Sequence, residues 1–447
     1  MEKTKNTIDV KNLLKLSIPI FLELILQVIL GNVDKIMVRN DNCANAINQA
    51  NSIISLLTVT IAVLASGSLI LINQYKGSKN KENEQRIYSL AFYFNLFLSI
   101  ILGILIVIFA PTIYKLMNVS DTYFDDALVY IRINGGLLFL QAITLTISSF
   151  LRSNTFVVHG FIASACTNLL NVILNALFLY VLNFDPVLGV AIATVISRVI
   201  GTIALFILLF KLTDVKLKLK NTFKNIHELK KLLKISLPSA CESFSYSLSQ
   251  IVILSIINII GLKLTSAAPT AKTYVNIMVQ FSFIFTSSIT QAMQILLGRY
   301  LGAKDTITAE KLIYKTLKIS IISSVLISAI QALLSPFIFS LFTKDIEVIN
   351  LCMYIMYIEI FLEIGRAINI TLVRALQTSG DVFFPTILAV IFCWAVAVVF
   401  SYIFGVVLGL GIVGVWIAMT LDELIRGAIF IVRIKKGKWK ERDLAYS

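Results

Sequence analysis

The chain has 447 residues, 57% of them hydrophobic and 14% charged, with a mean hydropathy of +0.87. That balance excludes an ordinary soluble domain and places the chain in a membrane. A net charge of +14 would suit nucleic acid, but the basic residues cluster beside apolar runs with a strong bias to one side. That is the pattern of membrane topology, with some attraction to anionic lipid heads, and not of nucleic-acid binding.

Twelve apolar runs are expected to span as helices, at about 13–38, 47–73, 87–110, 127–151, 159–182, 188–211, 235–260, 272–298, 312–335, 348–373, 384–407 and 411–434. Each approaches the roughly 20 residues needed to cross hydrocarbon, and the runs are continuous rather than alternating, which excludes a barrel. The first is too long for a signal-peptide core, and no small-residue cleavage site follows it. It opens with Leu13-Leu14-Lys15-Leu16-Ser17-Ile18-Pro19 and carries Glu23 and Asp34. The second holds Gly67 and is followed by Gly77, read as sites of helix capping and close helix approach. Span five carries Asn168, Asn171 and Asn175, and span six Arg198. A lysine-rich linker at 212–234 follows, and span seven opens with Leu232-Leu233-Lys234-Ile235-Ser236-Leu237-Pro238, with Glu242 four residues on. Gly298 and Gly302 mark the end of span eight; span ten carries Glu359, Glu363 and Arg366, and span twelve Asp422, Glu423 and Arg426.

The chain repeats itself. Pro19 and Pro238 sit in matching heptapeptides, each with a glutamate four residues later. Pro111-Thr112-Ile113-Tyr114 matches Pro336-Phe337-Ile338-Phe339, Tyr75-Lys76-Gly77 matches Tyr300-Leu301-Gly302, and Gly189-Val190-Ala191 matches Gly414-Val415-Trp416, all in order and at a nearly constant offset. Two six-helix parallel repeats follow, an N-terminal lobe at 1–211 and a C-terminal lobe with a short tail at 235–447, joined by the basic linker. Of the 39 lysines and arginines, 29 fall at the termini or in connections after even-numbered spans. Both termini are therefore expected in the cytoplasm of a multi-pass plasma-membrane protein. The five cysteines are scattered, with no CxxC or Cys/His cluster, so neither a disulfide framework nor a zinc site is indicated. Two histidines and no nucleophile–base constellation leave no enzyme to argue for, and no cofactor.

An ionisable group inside a span is costly and marks function by default. Glu23 and Glu242 hold the same register in the two repeats and are candidates for proton or organic-cation binding; the alternative is pairing with a neighbour. Asp34 has no acidic counterpart in the second repeat, which suggests a coupling-ion site that is not duplicated. Asn171 and Asn175 lie one turn apart on one helix face. With Asp34 they offer the oxygen ligands that Na⁺ prefers, or a partner for a protonated carboxyl; the alternative is interhelical hydrogen bonding. Glu359, Glu363 and Arg366 share a face, with Glu363–Arg366 read as an ion pair and Glu359 as the freer titrating group. Asp422 and Arg426 are read as a structural pair. Arg198 is expected to neutralise an acid that the sequence does not identify.

The run Gly31-Asn32-Val33-Asp34-Lys35-Ile36-Met37-Val38 with Gln49-Ala50-Asn51-Ser52-Ile53 resembles the first two helices of the multidrug and toxic compound extrusion (MATE) family. Similar in the same way are Gly67 to Gly77, Gly298 to Asp305, Asn168 to Asn175 and Gly189 to Ser197, so the resemblance covers essentially the whole chain. It implies a twelve-helix all-α integral membrane transporter that expels organic cations in exchange for H⁺ or Na⁺ by alternating access of two lobes. It implies cation coupling at Asp34, with Asn171, Asn175 and Thr194 joining it. Two departures stand out: Asn175 occupies a position commonly aspartate, and Gln377-Thr378 replaces an arginine-glycine, although Gly380-Asp381 follows as expected. The expectation is a monomeric antiporter for small organic cations in the lipid bilayer. The alternative is a lipid-linked oligosaccharide flippase of the same superfamily, which would want a strongly cationic cavity.

Overall fold

The computed structural model describes residues 10–30, 33–38, 40–117, 119–219, 222, 226–442 and 444, and all regular structure among them is helical. Without water in hydrocarbon, each backbone N–H must bond within its own segment, so the apolar runs fold as helices. In chain order these are α1 (Val10–Leu30), α2 (Val33–Val38), α3 (Asp41–Gly77), α4 (Lys81–Leu116) and α5 (Phe124–Tyr130). Then come α6 (Leu138–Ser153), α7 (Val157–Ala176), α8 (Pro186–Leu212), α9 (Ile226–Lys263) and α10 (Ala267–Gly302). The last are α11 (Thr306–Phe342), α12 (Ile346–Ser379), α13 (Phe383–Phe392), α14 (Val399–Tyr402) and α15 (Gly411–Lys435). Gly31 and Asn32 of the first motif, and Asn221 and 223–225 of the linker, lie outside the described residues.

Short polar residues start these helices. The Asn40 side chain accepts from Asn42 N and Cys43 N at the head of α3, and Asp185 caps α8 ahead of Pro186. Asp345 caps α12, which ends on Gly380 at φ +89°, a left-handed conformation that glycine adopts without strain. α5 runs through a π-helical turn at Ile131–Gly135, and the pair α5 and α6 is bent by 44°.

Among the described residues nine helices are long and apolar enough to cross a membrane, or ten if the bent pair counts as one span. The sequence reading expected twelve. The difference falls at the two ends: part of the first expected span, 13–38, lies outside the described residues, and α15 carries Asp422, Glu423 and Arg426 within its run. These charges dilute the apolar signal of α15, a helix of 25 residues.

Contacts divide the chain into two compact units, Met1–Phe21 with Pro238–Ser447, and Leu22–Leu237. The divisions fall beside Pro19 and Pro238, the prolines of the repeated heptapeptide, both inside helices. A proline there removes one i→i−4 bond and lets a helix bend. The Leu22–Leu237 unit packs around Ile47, Ile54, Ile61, Ile106, Tyr114 and Val190. The other packs around Ile253, Ile257, Phe339, Ile355, Leu362 and Trp416. The first part of the linker is held to α4: Gln85 Nε2 donates to Asp214 O at 3.0 Å, Lys216 N donates to Gln85 Oε1 at 2.9 Å, and Lys218 N to Ser89 Oγ at 3.1 Å. Residues 226–234 continue α9 beyond its apolar run.

Candidate functional site

Within the Leu22–Leu237 unit, three helices bring the expected coupling residues together. α2 presents Asp34, α7 presents Asn171 and Asn175 one turn apart, and α8 presents Thr194. Asn175 Nδ2 donates to Asp34 Oδ1 at 2.7 Å and lies 3.4 Å from Asn171 Oδ1. Asn171 Nδ2 in turn donates to Thr194 Oγ1 at 3.3 Å, and Thr194 Oγ1 donates to Val190 O at 2.9 Å. The result is one continuous chain from a carboxylate through two amides to a hydroxyl.

Asn175 is fully buried, and its Oδ1 has no hydrogen-bond partner among the described residues. A buried carbonyl oxygen beside a carboxylate is a donor set suited to a hard cation or a proton carrier. Sequence reasoning missed Tyr130, which is buried beside Asn51 and Thr194 and lies in the field of Asp34 and Arg198. Arg198 stands near both Asp34 and Tyr130, so the acid it faces is Asp34. Nothing marks Tyr130 in one sequence, because tyrosines are common throughout the spans. Asn168 is half-buried on the same helix.

Glu23 lies elsewhere in this unit and is 3% exposed. Arg152 Nη2 pairs with its Oε2 at 2.8 Å. Its counterpart in the second repeat, Glu242, is half-buried and meets neutral groups: Gln377 Nε2 at 3.4 Å and Thr386 Oγ1 at 3.5 Å. Glu23 is thus in a direct ion pair, whereas Glu242 lies in the fields of Arg374 and Arg426 with its hydrogen bonds going to neutral groups.

In the unit containing Pro238–Ser447, Glu359 and Glu363 are both 1% exposed on α12. Arg366 Nη1 bridges them, 2.9 Å from Glu359 Oε1 and in direct contact with Glu363 Oε1. Trp416 Nε1 donates to the other oxygen of Glu359 at 2.7 Å, and Ser282 Oγ donates to the other oxygen of Glu363 at 2.7 Å. Arg366 is thus shared between Glu363, its expected partner, and Glu359; the arginine is long enough to span a full turn and take both acids. Asp422 pairs with Arg426 at 2.5 Å, as the spacing suggested, and Glu423 joins at 3.0 Å. Asn369 Nδ2 bonds both the backbone oxygen and the carboxylate of Glu423, tying α12 to α15. No group of three or more His, Cys, Asp or Glu side chains that would hold a metal occurs among the described residues.

The MatE family profile matches residues 19–177 and 238–403, one segment in each repeat. The chain belongs to the MatE family. It is 32% identical to the uncharacterized transporter YisQ of Bacillus subtilis (strain 168), over 97% of this chain and 96% of that protein. It is 24% identical to the probable multidrug resistance protein NorM of Thermotoga maritima, over 97% and 93% of the two chains. Among solved structures it is similar to a MATE in the bent conformation, with a TM-score of 0.91, 20% identity, and coverage of 98% of this chain and 99% of that one. It is also similar, at a TM-score of 0.87 and 20% identity, to a MOP superfamily transporter from Pyrococcus furiosus described as having a binding pocket of reversed polarity; coverage is 98% and 100%. Those two likenesses show the fold. Members of the MatE family are multi-pass membrane transporters and not enzymes, and this chain is a membrane transporter.

Proposed function

We propose that this MatE transporter is a secondary active antiporter that exports small organic cations in exchange for H⁺ or Na⁺. In this reading twelve helices form two six-helix lobes, 1–211 and 235–447, joined by the basic linker 212–234. Both termini lie in the cytoplasm, and the monomer is the working unit in the plasma membrane. The observation that carries the reading is the chain from Asp34 through Asn175 and Asn171 to Thr194. A carboxylate bonded to amides inside an apolar bundle is retained at a cost, and ion coupling is the use that repays it. Cation or proton binding at Asp34 would exchange the Asn175 bond for new ones and so change which face of the membrane the transporter opens to. Glu23, Glu242, Glu359 and Glu363 are proposed as groups that bind substrate or protons. Glu242 differs from the other three in having no direct ion pair: it accepts from Gln377 and Thr386 at 3.4 and 3.5 Å, with Arg374 and Arg426 acting on it from further away.

A complete switch between two states takes about 5 kcal/mol of differential binding. One charge crossing about 100 mV supplies roughly 2.3 kcal/mol, so a concentration gradient must add the rest. The test is ethidium transport in reconstituted vesicles, wild type against Asp34→Asn, with H⁺ and Na⁺ gradients imposed separately. Transport driven by one gradient and abolished by the substitution supports the reading and identifies the ion. Failure of cationic dye to move under either gradient rejects it in favour of a lipid-linked substrate.

A further inference from the structure

The helices α10, α11 and α12 carry a second polar feature, separate from the Asp34 chain and from the ion pairs of α12. Two bonds set the antiparallel register of α10 and α11: Thr286 Oγ1 lies 2.8 Å from Ser324 Oγ, and Gln331 Nε2 donates to Met278 O at 2.9 Å. Two more set the parallel register of α10 and α12. Ser282 Oγ donates to Glu363 Oε2 at 2.7 Å, and Cys352 Sγ lies 3.7 Å from Ala271 O, each pair separated by 81 positions in sequence. Carried one to two turns toward Gly302, these registers bring Thr316 opposite Gln294, and Ser320 and Thr371 opposite Thr290 one turn earlier, so the four lie within about 6 Å along the helix axis.

Thr316, Ser320 and Thr371 are fully buried, and Gln294 is 1% exposed. Gln294 Nε2 and Oε1, Thr316 Oγ1, Ser320 Oγ and Thr371 Oγ1 have no hydrogen-bond partner among the described residues. Neighbouring hydroxyls behave differently: Ser323, Ser328 and Ser335 each donate to a carbonyl of the preceding turn. Five unpaired buried polar atoms within one helical turn would together cost about as much as the net stability of an ordinary domain. A native structure meets such groups with an occupant.

The chemistry of the set selects that occupant. An amide and three hydroxyls both donate and accept, and these four side chains are neutral, which fits a dipolar molecule better than an ion; the charged neighbours at this level are Lys315 and Lys318 on α11 and Arg374 on α12, the last in the field of Glu242. A buried water makes about three hydrogen bonds to groups of this kind. Glu363, bonded to Ser282 at its own level, lies about 12 Å from Thr371 along the helix axis, eight residues at 1.5 Å each, with the Thr286–Ser324 hydroxyl pair in between.

We propose that the α10–α11–α12 junction around Gln294, Thr316, Ser320 and Thr371 is an internal water site that gives Glu363 a hydrated route toward the Gly302–Thr306 end of these helices. Its use in transport rests on the reading of Glu363 as a proton-binding group; the hydration does not.

Radiolytic hydroxyl-radical labelling of the purified wild-type protein tests this, because radicals formed from internal water oxidise nearby thioethers. Met293 adjoins Gln294, and Met356 sits in the apolar core at the level of Val275; both are fully buried. Met293 is expected to oxidise about tenfold faster than Met356, and Thr316→Val with Ser320→Ala to bring it down to the Met356 rate. Equal rates in the wild type overturn the site, as does a double variant that labels as fast as the wild type. Fast labelling of Met293 in a protein that moves no cation leaves the water site standing and removes only the transport reading.

Discussion

Asn175 donates a 2.7 Å hydrogen bond to Asp34, a residue 141 positions earlier in the chain. The position commonly holds aspartate in similar proteins, so a neutral amide here replaces what would be a second carboxylate. Asp34 is thereby left as the one acid in its chain of bonds to Asn171 and Thr194.

Restoring that carboxylate tests what the amide does. In Asn175→Asp two carboxylates would stand within hydrogen-bonding distance, and such a pair must share a proton or bind a cation. The variant is expected to gain a Na⁺-dependent rise in thermal stability that K⁺ does not reproduce and that is larger than in the wild type. Unfolding scans in matched chloride salts read the difference.

The Glu23–Arg152 pair is buried on the acid side and joined at 2.8 Å. Removing one partner of such a pair strands the other, at a cost of about 3 kcal/mol. Glu23→Gln is therefore expected to lower the unfolding temperature markedly, and Glu23→Leu with Arg152→Met to recover most of the loss. If Glu23→Gln instead unfolds like the wild type while transport is lost, the residue belongs to the transport cycle rather than to the scaffold.

Close backbone approach makes a sharp prediction at Gly365. A Cβ there would come within 2.7 Å of Glu423 C and 2.8 Å of Leu424 N, backbone atoms that cannot swing aside. Gly365→Ala is expected to push α12 from α15 and destabilise by about 1–3 kcal/mol. Gly160→Ala meets nothing within 4 Å and should be neutral or mildly stabilising, since alanine favours helix more than glycine does. Melting temperatures of the two variants in detergent check both signs.

Asp381 is 1% exposed and accepts from two arginines, Arg433 at 2.9 Å and Arg442 at 3.0 Å. Arg442 Nη1 also donates to Gly380 O at 3.1 Å, so the segment after α15 is fastened to the turn that ends α12. Asp381→Asn leaves two guanidinium groups facing an amide and is expected to cost about 2–3 kcal/mol. Arg442→Ala alone, at the more exposed end, should cost less than 1 kcal/mol. Limited proteolysis is expected to release the C-terminal segment faster in Asp381→Asn than in Arg442→Ala, and the reverse order would contradict the assignment.

The acids and amides of the site were visible in the sequence because a polar residue in an apolar run is conspicuous wherever it lies. Asp34, Asn171 and Asn175 stood out for that reason, and Thr194 entered through the resemblance alone. The pairings were not visible. Glu23 and Glu242 share a register in the two repeats, yet one meets Arg152 and the other meets Gln377 and Thr386. Arg366 was read as the mate of Glu363 and takes Glu359 as well, while Trp416 at the far end of another helix supplies a second bond to Glu359. Gly67 was marked for close approach and does crowd Ser236, but the backbone contacts at Gly365 and Gly414 carried no signal.

The sequence by itself determined that the chain is a membrane protein, that its spans are helices, that it is internally repeated, and which residues are costly to bury. These are properties of local composition, and hydrocarbon enforces them segment by segment. Only the tertiary structure decided which side chain answers which. In a bundle whose helices are apolar nearly all round, periodicity does not reveal the buried face, so rotation and depth, and with them every long-range hydrogen bond, are set by packing against neighbours.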